Sequence, residues 1–593
     1  MCGIVGAIVP NNSADASVLV QQMMSMLKHR GPHDSGFSRA GAAAIGMCHL
    51  RAHFSPKEEL PFSLNDIHAA YDGQIYVQGK GKSDSPITKK EGVSVLTTEA
   101  WRENDGMYAL ASLDKRGSVR LIRDLFGIKP LFLREEAGIV SFASELPALL
   151  TVANSLNIDQ EAFHEILAFG RTLDRRTLYR CTRELAPGNE LVLAPNGAVA
   201  YRTTAPSVMS VNAPVTGSKL RESIRQAITH TAISGEQLGL ALSGGLDSSI
   251  LAHELRALGV RNLRTISLML PDNHDGLATL PELGFGNDSV SATWKHTTLS
   301  IDEPNYLAAL INAAPRYGEP FRMSSLPLYY LLGAEARRQG ITVLLLGEGV
   351  DELFGGYESY HNFSVSETDL HAEVLDFYLG GPAGFYLTRL LGPKVVASLN
   401  HRLSETVKPL IRGRTPKQAL LAVERLISLE PLLRRTDHAL MASGVEGRTP
   451  FLHGCVPKLA MTLPDTELWS HRETKSALRR FYADVLPPSL ISTPKRNFQA
   501  PKHLWRKDGA AALKVLIRRG KALFAALGLR EDGLAAVHAG CAEGDPAAVP
   551  LAIGLLSVSA CLSKLAQKDK LANPELTQAA TEIGVIFDHT DFG

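Results

Sequence analysis

The stretch Leu238-Gly239-Leu240-Ala241-Leu242-Ser243-Gly244-Gly245-Leu246-Asp247-Ser248-Ser249 decides how the second half of the chain folds. Leu238 to Leu242 is short and wholly apolar, which predicts a strand buried on both faces of a parallel sheet. The run from Ile250 to Leu258 predicts a helix, so Ser243 to Ser249 forms the loop between them. Small residues in that position let backbone N–H groups and hydroxyls approach an anion, and the helix N-terminus adds a favourable dipole. The loop is suited to phosphate. It lacks the Gly-x-x-x-x-Gly-Lys-Ser/Thr pattern, which excludes the usual kinase and ATPase loop. The bland alternative, a Gly-Ser turn with Asp247 as a helix cap, does not account for seven such residues in a strand–loop–helix setting.

Two further apolar runs, Leu263 to Leu270 and Ile341 to Leu346, alternate with amphipathic helical segments from Ser218 onward. That pattern predicts a doubly wound α/β fold with a parallel sheet. After the second run comes Gly347-Glu348-Gly349-Val350-Asp351-Glu352-Leu353-Phe354-Gly355-Gly356-Tyr357. Two strand-end loops of this kind would lie side by side at the carboxyl edge of the sheet. Asp351 is then placed to share Mg²⁺ with Asp247, since Mg²⁺ ordinarily takes one or two protein carboxylates and fills its shell with phosphate oxygens and water. Glu348 is placed for an acceptor or for proton transfer. A third segment, Arg472 to Arg480, opens a basic helix, and its Lys475 is suited to neutralising charge on a departing phosphate.

Residues 1 to about 205 read differently, as short β-type runs between Gly, Pro and Asn/Asp turns: Gly3 to Val9, Ala44 to Cys48, His68 to Val77, Tyr108 to Leu113, Val119 to Ile122, Ile139 to Ala143 and Glu190 to Leu193. Stacked antiparallel sheets are expected. Thr203 to Gly217 reads as a linker, and Ala-rich helical segments follow residue 505. Three regions result: 2–205, 218–505 and an extension at 506–593.

A chain of 593 residues exceeds one ordinary core, and Lys+Arg 62 against Asp+Glu 61 leaves no electrostatic footprint for nucleic acid or an anionic membrane. The start of the chain carries no secretory signal, and the longest apolar stretch, near Val549 to Leu562, is interrupted by Gly554, Ser557 and Ser559 and is read as too short to span a bilayer. A cytoplasmic location is the default expectation. Six cysteines without a CxxC pair argue against a disulfide framework or zinc site. Five of them read as structural.

Cys2 is the exception, because removal of Met1 would leave a thiol and an α-amine on one residue, and an amine of pKa near ~8 can act as base for the thiol. It is followed by Gly3-Ile4-Val5-Gly6, then His29-Arg30-Gly31-Pro32, Arg123-Asp124-Leu125-Phe126-Gly127-Ile128-Lys129-Pro130-Leu131 and Ser144-Glu145. In this order the blocks resemble the N-terminal-nucleophile (Ntn) glutamine amidotransferases of class II. Continued through Leu185-Ala186-Pro187-Gly188, the two loops above, Leu432 to Asp437 and Gly444 to Leu452, the resemblance is to asparagine synthetases, over residues 2 to about 505.

That resemblance implies a four-layer αββα glutaminase domain followed by an ATP-pyrophosphatase domain. It assigns pyrophosphate and ATP contacts to Ser243, Gly244, Gly245, Asp247, Ser248, Leu268, Gly347 and Glu348, with Mg²⁺ on Asp247 and Asp351. Cys2, Glu348 and Lys475 become the catalytic set. Arg51 matches the arginine that grips the glutamine carboxylate, and Gly73 the oxyanion-hole glycine. A homodimer is an expectation of the resemblance alone.

The chain departs from the family at several points. Asp72-Gly73-Gln74 stands where Asn-Gly-Glu is usual, and a carboxylate cannot donate the oxyanion hydrogen bond that an amide can. The segment from Gly79 to Trp101 is shortened, leaving Asp84 as substitute for the glutamine-amine ligand. Leu346 and Val350 replace serines, Pro271 to Ser291 is loop-like, and Tyr317 to Ser325 lacks the aspartate-site pattern.

The expected reaction takes glutamine, ATP and aspartate to asparagine, glutamate, AMP and pyrophosphate. One alternative keeps the chemistry with another carboxylate of specialised metabolism, or with an internal amine as in the β-lactam synthetases, though Cys2 argues against the latter. A second is a glutaminase-only or catalytically silent relative, which Asp72 would favour and the nucleotide loop opposes.

Overall fold

Strand β1 (Cys2–Ile8) turns Cys2, Ile4 and Ile8 to one face and Val5 and Ala7 to the other, as a period of two dictates. All seven of its residues are buried, so both faces must be covered. The structure, a computed structural model, describes residues 2–10, 14–51, 59–76, 89–97, 99–102, 104–203, 215–232, 237–270, 294–363, 370–494 and 507–589. On one side of β1 lies helix Ala16–Met26, with Val20 and Met23 buried. On the other lies a second sheet.

The first sheet runs β10-β8-β9-β1-β3-β2 in space, where β2 is Asp34–Ala40, β3 Ala43–His49, β8 Phe132–Glu136, β9 Ile139–Ala143 and β10 Thr182–Glu184. The second runs β12-β11-β7-β6-β5-β4, with β4 Phe62–Leu64, β5 Ile67–Tyr76, β6 Asp105–Asp114, β7 Val119–Arg123, β11 Asn189–Leu193 and β12 Val199–Thr203. Helix Lys89–Leu96 packs on β5 beside Tyr71 and Ile75, the face opposite Asp72. Helix, sheet, sheet and helix make the expected αββα stack.

The third sheet is parallel throughout, in the order β15-β14-β13-β16-β17, with β13 Leu238–Ala241, β14 Arg264–Met269, β15 Lys295–Ser300, β16 Val343–Leu345 and β17 Glu446–Arg448. The chain steps outward from β13 to β15, then returns to the other side of β13 for β16. The order therefore reverses between β13 and β16, and the crevice at such a reversal is where open α/β sheets bind ligands. Leu238 pairs with Val343 and Leu240 with Leu345, so the loops that follow the two strands leave the sheet side by side.

Helix Val549–Ala566 meets the length and apolarity of a spanning helix, contrary to the expectation that Gly554, Ser557 and Ser559 break it up. The serines turn their hydroxyls back on the helix, Ser559 Oγ to the Leu555 carbonyl at 2.8 Å and Ser557 Oγ to that of Gly554 at 3.1 Å, so neither interrupts it. Of its 18 residues, 83% are buried inside the protein. Ser557 Oγ also accepts from Phe321 N at 3.1 Å and lies 3.0 Å from Phe321 O, tying the extension to the segment 319–325. Ser557→Ala leaves that buried N–H without its partner. We expect a loss of about 1–3 kcal/mol, read as a lower midpoint of urea unfolding with unchanged slope.

Candidate functional site

Helix Leu246–Ala257 begins four residues earlier than the apolar run suggests, with Gly245 as its N-cap. Asp247 and Ser248 thus lie in its first turn. Asp247 makes no cap; its two carboxylate oxygens accept from Lys475 Nζ at 2.7 and 2.6 Å. The same ammonium reaches Asp351 Oδ1 at 2.6 Å. The carboxylates at positions 247 and 351, from the tips of β13 and β16, therefore converge on one point.

Lys475 holds that point from a backbone in the left-handed region, φ +56°, unusual for a residue with a β-carbon. It is 2% exposed, and its N–H donates to the Gly355 carbonyl at 3.1 Å. Gly356 supplies the room, since a β-carbon there would sit 1.7 Å from Asp351 Oδ1 and 2.3 Å from Lys475 Cε. The hydroxyls of the first loop close on one another: Ser248 Oγ accepts from Ser243 N at 3.2 Å and lies 3.1 Å from Ser243 Oγ.

These residues line a cavity of about 700 Å³ together with Gly244, Gly245, Leu268, Gly347 and Glu348. Glu348 accepts from the Tyr329 hydroxyl and from Arg435 Nη2 at 2.6 Å, while Arg435 Nη1 donates to Ser325 Oγ at 2.6 Å. The Arg435 guanidinium stacks 4.0 Å from the centre of the Tyr329 ring, a cation–π contact. Burial and the charge of Asp351 push Glu352 up to about 8. A π-helical turn, Arg425–Leu429, brings Ile427 and Ser428 to the wall, an irregularity common at functional sites.

At Cys2 the backbone N–H donates to Asp72 Oδ1 at 2.8 Å, across the gap between the two stacked sheets. Asp72 Oδ2 accepts from Arg30 Nη2 at 3.0 Å, and Arg30 Nε donates to the Cys2 carbonyl at 3.0 Å. Burial alone would raise the Asp72 carboxyl, but Lys129 and Arg30 outweigh it and hold Asp72 below the usual carboxylate range. It stays ionised and cannot donate. Gly73 has φ +113°, and a β-carbon there would meet the Met107 carbonyl at 1.9 Å, so the strand requires glycine. Arg51 ion-pairs with Asp34 at 2.8 Å and its N–H donates to His33 Nδ1 at 3.0 Å. Asp84 and the segment Pro271 to Ser291 fall outside the described residues.

A buried charge network ties the Cys2 centre to the helix that reaches the cavity. Arg30 Nη1 donates to Asp437 Oδ2 at 2.7 Å and to Glu145 Oε1 at 2.9 Å. Lys129 Nζ lies 3.1 Å from Asp437 Oδ1 and 3.8 Å from Glu446 Oε2, and Arg448 Nε donates to Glu446 Oε1 at 2.7 Å. Asp437 belongs to helix Glu430–Met441, which also carries Arg435 to the cavity and Arg434 to Glu319. One helix therefore touches both sites. Arg30, Lys129, Glu145, Arg435 and Asp437 stood in the quoted sequence blocks without a role. For Arg435 and Asp437 the signal was Arg434-Arg435-Thr436-Asp437-His438, five polar residues in a row between the apolar pairs Leu432-Leu433 and Leu440-Met441; for Arg30, Lys129 and Glu145 there was none.

Residues 219–524 match the family described as asparagine synthase, and residues 1–203 match the glutamine amidotransferase domain. Among similar proteins, the glutamine-hydrolysing asparagine synthetase 1 of Bacillus subtilis is 25% identical over 567 residues, covering 86% of this chain and 88% of that protein. A putative asparagine synthetase of Mycobacterium tuberculosis is 25% identical over 595 residues, covering 86% and 89%. The amidase chry2 of Gibberella zeae is 25% identical over 422 residues, covering 62% and 61%.

Removing one partner of a buried ion network leaves an uncompensated charge. Asp437→Asn should cost about 3–5 kcal/mol in urea unfolding, whereas Asp66→Asn, whose pair with Lys115 is exposed, should cost less than about 1 kcal/mol. Glu446 is held down at about 2 because Arg448 and Lys129 outweigh its burial, and Asp437 is likewise held low by Arg30 and Lys129. The stability they contribute is present above the ordinary carboxyl pKa near ~4 and is lost as pH falls toward 2. Asp437→Asn should flatten that acid limb.

Proposed function

Because the chain belongs to the asparagine synthase family, with a glutamine amidotransferase domain before it, we propose that it is a glutamine-dependent, ATP-driven carboxylate amidoligase. The observation that carries this reading is the convergence of Asp247, Asp351 and Lys475 at the crevice between β13 and β16. The region 218–505 performs adenylation and amidation, 2–205 supplies ammonia, and 506–593 helps wall the acceptor site.

The acceptor carboxylate attacks the α-phosphorus of ATP, forming the acyl-adenylate and releasing pyrophosphate. Ser243, Gly244, Gly245 and Ser248 receive the pyrophosphate, their hydroxyls exchanging mutual hydrogen bonds for phosphate oxygens. Lys475 moves from its two aspartates onto the charge that develops as pyrophosphate leaves. Asp247 and Asp351 suit Mg²⁺, two carboxylates being what that ion ordinarily takes from a protein. When bound it draws negative charge off the phosphates. Ammonia then attacks the acyl carbon, AMP departs, and the nitrogen gives up one proton.

The ammonia comes from glutamine hydrolysed at Cys2, with Met1 removed. The Gly73 N–H takes the oxyanion, since Asp72 accepts hydrogen bonds and donates none. Asp72 would then face the Cys2 ammonium, and a carboxylate beside an amine favours its charged form. Less of the amine is then unprotonated at neutral pH and free to act as base. The two relatives' names point to aspartate as acceptor; the lining of the cavity points elsewhere.

Three outcomes test the reading. Cys2→Ala should abolish glutamine-dependent amide formation and leave ammonium-dependent formation intact; loss of both would contradict the division of labour. Lys475→Met should lower pyrophosphate release at least 100-fold, about 3 kcal/mol, with ATP binding retained. Asp72→Asn should raise the glutaminase rate at least tenfold at neutral pH, about 1.4 kcal/mol, and move the rising limb of its pH profile to lower pH. An unchanged profile would show that Asp72 does not bear on the amine.

A further inference from the structure

The cavity that holds the strand-tip loops extends beyond them, and its far wall comes from helices outside the sheet. Phe169 closes helix Gln160–Phe169, Met323 precedes helix Ser325–Arg338, and Tyr378 and Ile427 stand on Leu370–Leu379 and the π-helical turn. Val549 and Pro550 open the long helix of the C-terminal extension. These six side chains are aliphatic, aromatic or thioether.

The carboxylates of the cavity are already engaged. Asp247 and Asp351 share Lys475, Glu348 holds Arg435 and Tyr329, Glu352 accepts from the Tyr357 hydroxyl, and Glu424 accepts from Tyr360 at 2.7 Å and from Tyr378. Arg322 differs. Its Nη1 donates to the carbonyls of Leu167, at 3.0 Å, and Ala168, and among the described residues it has no carboxylate partner. Burial pushes it down to about 10.

An amino-acid acceptor brings an α-ammonium, which on leaving water needs a carboxylate to receive it. Each carboxylate in the wall already faces a cation or a phenol, and an ammonium would enter in competition with it. An apolar body meets no such competition, and apolar pockets with a few placed polar groups take such ligands. We propose that the acceptor is a carboxylic acid with an alkyl or aryl body and no free α-ammonium, its body seated against Phe169, Met323, Tyr378, Ile427, Val549 and Pro550. Arg322 receives a second acceptor oxygen of that body where one is present. The chemistry is that of the proposed function, on which this rests: the carboxylate oxygen displaces pyrophosphate from ATP, and ammonia displaces AMP with loss of a proton.

The experiment uses the full chain with ATP, Mg²⁺ and ammonium chloride, which bypasses Cys2. Pyrophosphate release and amide mass are followed with aspartate, glutamate, hexanoate, 3-phenylpropionate and N-acetylphenylalanine. At least one of the last three should exceed aspartate tenfold or more in kcat/KM. Val549→Asp should lower that value tenfold or more through KM for the acid, leaving KM for ATP within twofold. Calorimetric binding of the best acid to the ATP-loaded variant shows whether a loss lies in the pocket, since a variant that binds ATP normally has folded. Turnover with aspartate in preference to all three overturns the inference and leaves the amidoligase reading standing. Pyrophosphate release with none of the five overturns both.

Discussion

Arg30 is the group on which the two halves of the molecule depend together. Its guanidinium is fully buried and shared among the Cys2 carbonyl, Asp72, Glu145 and Asp437, residues drawn from both halves of the chain. A cation taken so far from water is tolerable only when every side of it is met by charge or hydrogen bond. Burial would lower its pKa, yet Asp437, Asp72 and Glu145 together hold it well above the ordinary value. The arrangement is complete only when β1, β5, the turn that follows β9 and helix Glu430–Met441 are all in place. Registration of the glutaminase-like sheets on the nucleotide-type sheet is thereby fixed by a few charges.

Helix Glu430–Met441 transmits that registration. Asp437 faces Arg30, and two residues earlier Arg435 faces Glu348 in the cavity, so a shift of the helix at one end alters both contacts. The cavity in turn owes its position to strand order. Because the chain returns across β13 to form β16, the loops carrying Asp247 and Asp351 emerge as neighbours, and Lys475 can reach both from its left-handed turn.

The sequence made the parallel sheet legible where strands are wholly apolar, as in β13 and β16, because burial on both faces leaves no polar position. It hid β15 and β17. Lys295–Ser300 is an edge strand with polar, part-exposed residues, and Glu446–Arg448 is three residues long with two buried charges satisfied by each other. Strand β2 was missed for the same reason, alternating exposed and half-exposed positions at a sheet edge. Asp247, Asp351 and Lys475 could be read from loops in a strand–helix setting. Arg30, Arg435 and Asp437 could not be given roles, since Arg30 and Asp437 lie 407 residues apart, Arg435 and Glu348 87 apart, and no local pattern encodes such a pairing. The extension's contribution to the cavity was equally invisible, for Val549 and Pro550 look like any other start of an apolar helix.

The account stands on one chemical event, transfer of the acceptor's oxygen to the α-phosphorus at the point where Asp247, Asp351 and Lys475 meet. Turnover with an acceptor labelled with oxygen-18 in its carboxylate, followed by mass spectrometry of the nucleotide product, reads that event directly. The account predicts one labelled oxygen in AMP for each amide formed. Label in inorganic phosphate, with ADP as the nucleotide product, would contradict it.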